Sequence, residues 1–126
     1  MIFVDTNYFL RFLLADVGHE HNTARKLFQD GASGAQKLFS STIVVFEIYW
    51  VLASFYQKEK QELVAILNGI LAMGFVKLGE RQVIKDALEL FARESIDFED
   101  AYNATYARAH GATGFATFDK KLRAIT

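Results

Sequence analysis

The chain has 126 residues, 52% apolar and 14% aromatic, with 14 basic and 15 acidic side chains and a net charge of −1. This composition excludes a disordered chain and is enough for one α/β domain with a real core across residues 1–126. The absence of cysteine excludes disulfides, a zinc knuckle and a thiol nucleophile. The near-zero charge at first argues against a nucleic-acid partner, but acids gathered around metal ions would hide a basic surface in that sum.

The longest apolar stretch, Ile43 to Tyr56, is well short of the roughly 20 residues a membrane-spanning helix needs, and it carries Glu47. No basic-then-apolar leader with a small-residue cleavage site is present. The expectation is a cytoplasmic protein without a membrane segment, and a cysteine-free chain fits that setting.

In chain order, Met1 to Val4 read as a short strand buried on both faces, as in a parallel sheet, and Asp5 ends it. Thr6 and Asn7 suit a helix start, and Tyr8 to Leu14 read as a short, mostly buried helix. Glu20 to Asp30 form an amphipathic helix with Ala24, Leu27 and Phe28 inward. Lys37 to Ser41 are a second strand, with Ser41 or Thr42 as the next N-cap. Ile43 to Gln57 and Lys60 to Met73 are strongly apolar helices, the latter stopped at Gly74. Phe75 to Leu78 are a third strand. Glu80 to Glu94 are amphipathic, and Phe98 to His110 form a helix rich in alanine. Phe115 to Phe118 read as a fourth strand ending at Asp119, and Lys120 to Ile125 as a short closing helix. Short strands alternating with helices predict a three-layer α/β sandwich, a parallel sheet of four or five strands with helices on both faces.

Four acids carry the candidate chemistry. Asp5 and Asp119 end strands, and Glu47 and Asp100 lie near helix N-termini. In a parallel sheet these positions share one edge. Glu47 is the only charge in its apolar helix, and burying it is costly unless it is paired or binds a cation. Asp97, three before Asp100, suits an N-cap. Thr117 precedes Asp119 by two and places a hydroxyl beside it. Four carboxylates on one edge repel one another, and hard divalent cations such as Mg²⁺ or Mn²⁺ relieve that repulsion and prefer oxygen ligands. Such ions activate water and stabilise charge on a phosphoryl group. The histidines compete poorly: His19 and His21 flank a helix start and His110 precedes a glycine turn, all consistent with structural or solvated roles. There is no G-x-S-x-G elbow, no Walker A loop and no G-x-G-x-x-G.

The ordered set Val4-Asp5-Thr6-Asn7, Glu47, Asp97-Phe98-Glu99-Asp100-Ala101 and Thr117-Phe118-Asp119 resembles PIN-domain proteins, most closely the VapC-type toxins of toxin–antitoxin systems. The resemblance covers nearly the whole chain. It implies a PIN-like α/β sandwich in which Asp5, Glu47, Asp100 and Asp119 bind Mg²⁺ or Mn²⁺, with Thr6, Asn7 and Thr117 as supporting groups. Asp97 is one more acid near the site, with its role open. The implied activity is endoribonuclease cleavage of RNA, silenced by a cognate antitoxin. The expected chemistry is attack of a metal-bound hydroxide on a phosphodiester, leaving 5′-phosphate and 3′-hydroxyl ends. Arg11, Lys120, Lys121 and Arg123 are candidate contacts to the substrate backbone. Tyr49, Trp50, Phe55, Tyr56, Leu67 and Leu71 are candidates for an antitoxin groove or a homodimer surface, or are core. Three competing readings stand beside this one. They are a PIN-type nuclease in RNA processing or acting on DNA, a catalytically idle PIN scaffold, and a phosphatase or receiver-like domain. Intact acids argue against the second, and the third lacks the Lys partner its phospho-accepting acid would need.

Overall fold

The computed structural model describes residues 1–126. The chain folds as two compact units, Met1–Lys58 with Ala72–Gly79, and Glu59–Leu71 with Glu80–Thr126.

The first unit holds β1 (Ile2–Phe3), α1 (Thr6–Leu14), α2 (Gly18–Ser33), β2 (Leu38–Phe39), α3 (Thr42–Trp50) and β3 (Val76–Lys77). The strands form one parallel sheet in the order β1-β2-β3, with Ile2 opposite Leu38 and Leu38 opposite Val76. The α/β character and parallel sheet match the expectation, but the sheet has three strands, not four or five. β1 also differs from the strand buried on both faces that its sequence predicts. It is an edge strand pairing only with β2, so Ile2 and Phe3 remain exposed and only Val4 is buried.

The core of this unit is built where helices meet the sheet. Phe28 of α2 packs its ring against Phe9 at 5.3 Å, Phe12 at 4.9 Å and Phe75 at 6.4 Å. Gly31, one turn further along α2, lets the helix approach the sheet: a Cβ there would lie 2.5 Å from Cδ1 of Leu38. α1 packs on α2 and on α3. α3 continues into a π-helical turn over Val51–Phe55. The Ile43 to Gln57 helix of the sequence is therefore two geometries in series.

The second unit holds α4 (Lys60–Leu71), α5 (Arg81–Arg93), α6 (Phe98–Ala109) and α7 (Lys120–Ile125). α5 packs against both α4 and α6. Of the alanines in α6, Ala101 and Ala104 are buried, Ala107 is half-buried and Ala109 is exposed. The periodicity of α5 groups Val83, Ile84, Ala87, Leu88 and Phe91 on one face; the last four are buried together with Leu90, and Val83 is half-buried. Lys60 satisfies the end of α5 by donating Nζ to the carbonyls of Phe91 and Glu94, both at 2.9 Å.

The predicted strand Phe115 to Phe118 does not form. Local bonds take the groups a ladder would use: Arg123 Nη2 donates to the Thr117 carbonyl at 2.8 Å, and the Asp119 N–H donates to Thr117 Oγ1 at 3.0 Å. Side-chain bonds of this kind compete with sheet pairing. Phe118, which made the segment look like core, is fully exposed at 100%.

Candidate functional site

In the first unit the site starts from Asp5. The Val4 N–H donates to the Phe39 carbonyl at 2.8 Å, and buried Ser40 Oγ donates to the Val4 carbonyl at 2.7 Å. The peptide just before Asp5 is thus tied to the end of β2. Asp5 is the N-cap of α1, with extended backbone at φ −84° and ψ 167°, yet its side chain accepts no capping bond from the helix. The carboxylate is exposed and stays beside the positive end of the helix. Thr6, the next residue, is buried, and its Oγ1 has no hydrogen-bond partner. An unsatisfied buried hydroxyl costs about 1–3 kcal/mol, so its presence beside Asp5 calls for a ligand or an ordered water. Asn7 lies exposed in the same first turn.

Glu47 lies on α3, which begins after β2 and is capped by Ser41 Oγ accepting the Val44 N–H at 3.2 Å. Asp5 follows β1 and α3 follows β2, two adjacent parallel strands. Both acids therefore belong to elements that leave the same sheet edge. The premise that Glu47 is forced into an apolar interior needs correction: the residue is exposed. It shares a helical stripe with Ile43 and Trp50, themselves 71% and 62% exposed. The helix looked wholly apolar because it presents apolar side chains on its outer face as well as its inner one.

In the second unit, Asp97 and Asp119 each act on Asp100. Asp97 is the N-cap of α6, and its Oδ1 accepts the Asp100 N–H at 3.0 Å, as its sequence position predicts. The Asp100 carboxyl is held above the ordinary carboxylate range, first by burial, then by the charge of Asp97 and its bond, then by the charge of Asp119. Glu99 is also raised, by burial first and then by the charges of Asp97 and Asp100. Asp119 caps α7 by accepting the Leu122 N–H on Oδ1 at 3.0 Å. Thr117 accepts the Asp119 N–H, so its hydroxyl proton remains free to donate. Lys120 and Lys121 follow, both exposed. Arg123 is turned back onto the Thr117 carbonyl.

Arg11 is half-buried on α1 and donates Nη1 to Asp16. That bond, opposed by desolvation and helped by the charge of Asp16, raises the guanidinium pKa above its ordinary value. Its charge is therefore already matched within the first unit. Of the partner-surface candidates, Trp50 and Phe55 are exposed, Tyr56 is half-buried, and Tyr49, Leu67 and Leu71 are core. Ser40, whose hydroxyl ties the peptide before Asp5 to the end of β2, is the residue near the candidate site that sequence reasoning missed. The Ser-Ser pair closing β2 was its only signal.

Within neither unit do three or more acidic or histidine side chains form a group that holds a metal ion. The donors themselves suit one. They are carboxylates and hydroxyls without sulfur, the set that Mg²⁺ and Mn²⁺ prefer. The orphaned Thr6 hydroxyl beside an uncommitted Asp5 fits a hydrated cation as well.

The PIN domain family model matches residues 2–126, and the chain belongs to the PIN domain family. Among curated proteins it is similar to the VapC ribonuclease of Aquifex aeolicus (strain VF5), at 21% identity over 125 residues, spanning 99% of this chain and 92% of that protein. No solved structure matches the chain. No helix is long and apolar enough to cross a membrane.

Proposed function

We propose that this chain is a metal-dependent endoribonuclease of the toxin type, cutting RNA phosphodiester bonds in the cytoplasm and restrained by an antitoxin protein. The observation that carries the reading is the first turn of α1. Asp5 stands at a helix N-terminus without capping it, next to a buried hydroxyl without a partner. A residue chosen for stability would cap. This one keeps its oxygens available. The family match and the similarity to a VapC ribonuclease support the same reading.

Asp5, Glu47, Asp100 and Asp119 are the proposed ligands of Mg²⁺ or Mn²⁺. Such an ion, when bound, supplies positive charge to phosphoryl oxygens and lowers the pKa of water. The chain's own groups do the rest. Asp119 spends one oxygen on its helix and keeps the other for the site. Asp97 holds the first turn of α6 in place, which sets the position of Asp100. Thr6 and Thr117 offer hydroxyl protons to water or substrate oxygen beside the carboxylates, and Asn7 offers a carboxamide. Lys120 and Lys121 are proposed to hold the RNA backbone, and Arg11 orients from α1. The outward stripe of Ile43 and Trp50, with Phe55 beyond it, is the proposed surface for a protein partner, the antitoxin or a second copy in a homodimer.

The test is cleavage of total RNA by purified protein. Cutting is expected with Mg²⁺ or Mn²⁺ and none with EDTA, and Asp5→Asn is expected to remove it. An Asp5→Asn protein that cuts like the parent overturns the ligand assignment. A parent that cuts only DNA overturns the RNA reading.

A further inference from the structure

A cavity of about 270 Å³ opens in the first unit between the first two turns of α1 and of α2, lined chiefly by Asn7, Tyr8, Arg11, His19, Glu20 and Thr23. Asn7 is two residues from Asp5 and on the same turn of α1. The charge on the cavity wall decides what it accepts. Arg11 is the one guanidinium there, and it is paired with Asp16. Asp16 also accepts the Tyr56 hydroxyl at 3.3 Å. Glu20 adds a second carboxylate whose charge also acts on Arg11. Thr23 has committed its hydroxyl proton to the His19 carbonyl at 3.0 Å. A phosphate entering this space meets a guanidinium already held by Asp16 and drawn on by Glu20, so the cavity offers no free cation to the backbone.

What fits is a flat, uncharged ring with hydrogen-bonding edges. Tyr8, 39% exposed, and the His19 ring offer stacking surfaces. Asn7 and Arg11 offer N–H donors, and Glu20 offers two acceptor oxygens. Unpaired RNA bases are recognised in this way, stacked on aromatic rings and read along their hydrogen-bonding edges. Guanine suits a carboxylate best. Its N1–H and N2–H donors lie side by side, and O6 beside them accepts from an amide or guanidinium. Adenine and cytosine place an acceptor next to a single donor group, and uracil has one N–H between two acceptors. We infer that the α1–α2 cavity is a nucleobase subsite selecting guanine at a nucleotide next to the cleaved phosphodiester. The inference rests on the RNA-nuclease reading above for its occupant.

The test uses the parent chain in EDTA, where cutting is off. Backbone amide shifts of Asn7, Tyr8 and Glu20 are followed by NMR during titration with the trinucleotides UGU, UAU and UIU, the last carrying inosine, which lacks the N2 amino group. UGU is expected to bind about tenfold more tightly than the other two, from one well-made pair of base contacts. Glu20→Gln is expected to erase that preference. Tyr8→Leu is expected to weaken all three by roughly tenfold through lost stacking. Equal affinity for the three in the parent, or a preference that survives Glu20→Gln, overturns the assignment. The titration does not depend on cleavage. A chain that prefers UGU but never cuts RNA keeps the subsite and loses the nuclease, and a chain that cuts without the preference does the reverse.

Discussion

Asp5 and Asp119 look alike in sequence: each follows a short apolar run, and each is the N-cap residue of a helix. The two units hold them in opposite ways. In the second unit Asp119 accepts the Leu122 N–H and Asp97 accepts the Asp100 N–H. These acids help build the helices they begin. In the first unit Asp5 makes no such bond, and its position is fixed through the backbone by Ser40 and Phe39. The difference separates two ways of placing a carboxylate at a helix N-terminus. One stabilises the fold and has an oxygen left over. The other contributes little to the helix and keeps the whole group for a ligand.

The strongest way to break this comparison is to remove charge without changing shape. Asp5→Asn is expected to cut metal-dependent RNA cleavage by roughly 10²–10³-fold or more, on the scale of losing one electrostatic group from an active site. Its metal-free unfolding free energy is expected to move by no more than about 0.5 kcal/mol, as for a surface substitution outside any structural feature. Cleavage and denaturant unfolding measured on the same preparation decide it. A large loss of stability would make Asp5 a structural residue and remove the contrast.

Asp119 is the sharper case, because its two roles separate by substitution. Asn caps a helix about as well as Asp, and Ala does not, at a cost of about 1 kcal/mol. Asp119→Asn is therefore expected to keep stability and lose cleavage, and Asp119→Ala to lose both. Thermal melts of the pair beside their cleavage rates report the difference. Equal destabilisation by Asn and Ala would mean that the carboxylate charge, not the cap, holds α7.

The sequence carried more of the second unit than of the first. The inward face of α5 and the small residues of α6 follow a 3.6-residue period, and helices with a clear period declare their buried side. Asp97 as a cap was legible from its place before Phe98. The strands were harder. Each is two residues long, too short for a period of two to register. The edge position of β1 depends on strand order, which no local pattern carries. Phe115 to Phe118 had the composition of a strand, but Thr117 is bonded locally by Asp119 and by Arg123 of α7. Glu47 was singled out for a reason the structure does not support, since its helix is apolar on both faces and Glu47 is exposed. The four acids were singled out by motif order, and the proposed site rests on them. The free hydroxyl of Thr6 and the tie from Ser40 to Val4 were not legible, because both exist only once β1 and β2 are side by side.

The smallest expected effect tests whether the second unit is strained by its own acids. Asp100 and Glu99 both have raised pKa values in the folded chain. The folded state then binds protons more tightly than the unfolded one, so metal-free stability falls as pH rises through the window above the ordinary carboxylate range of about 4. The deficit is full at neutral pH and absent below pH ~4. Asp100→Asn removes the charge and keeps the size. In EDTA at pH 7 it is expected to be more stable than the parent by about 0.5 kcal/mol, the scale of a like-charge pair on a helix, with the gain gone at pH 4. Adding Mn²⁺ is expected to reverse the order at pH 7, because only the parent keeps the carboxylate. Denaturant titrations at the two pH values, with and without Mn²⁺, give the answer. If Asp100→Asn is the less stable protein in EDTA at neutral pH, the carboxylate is a net support for α6. The second unit's acids would then be structural first and ligands second, which is the opposite of what their mutual repulsion implies.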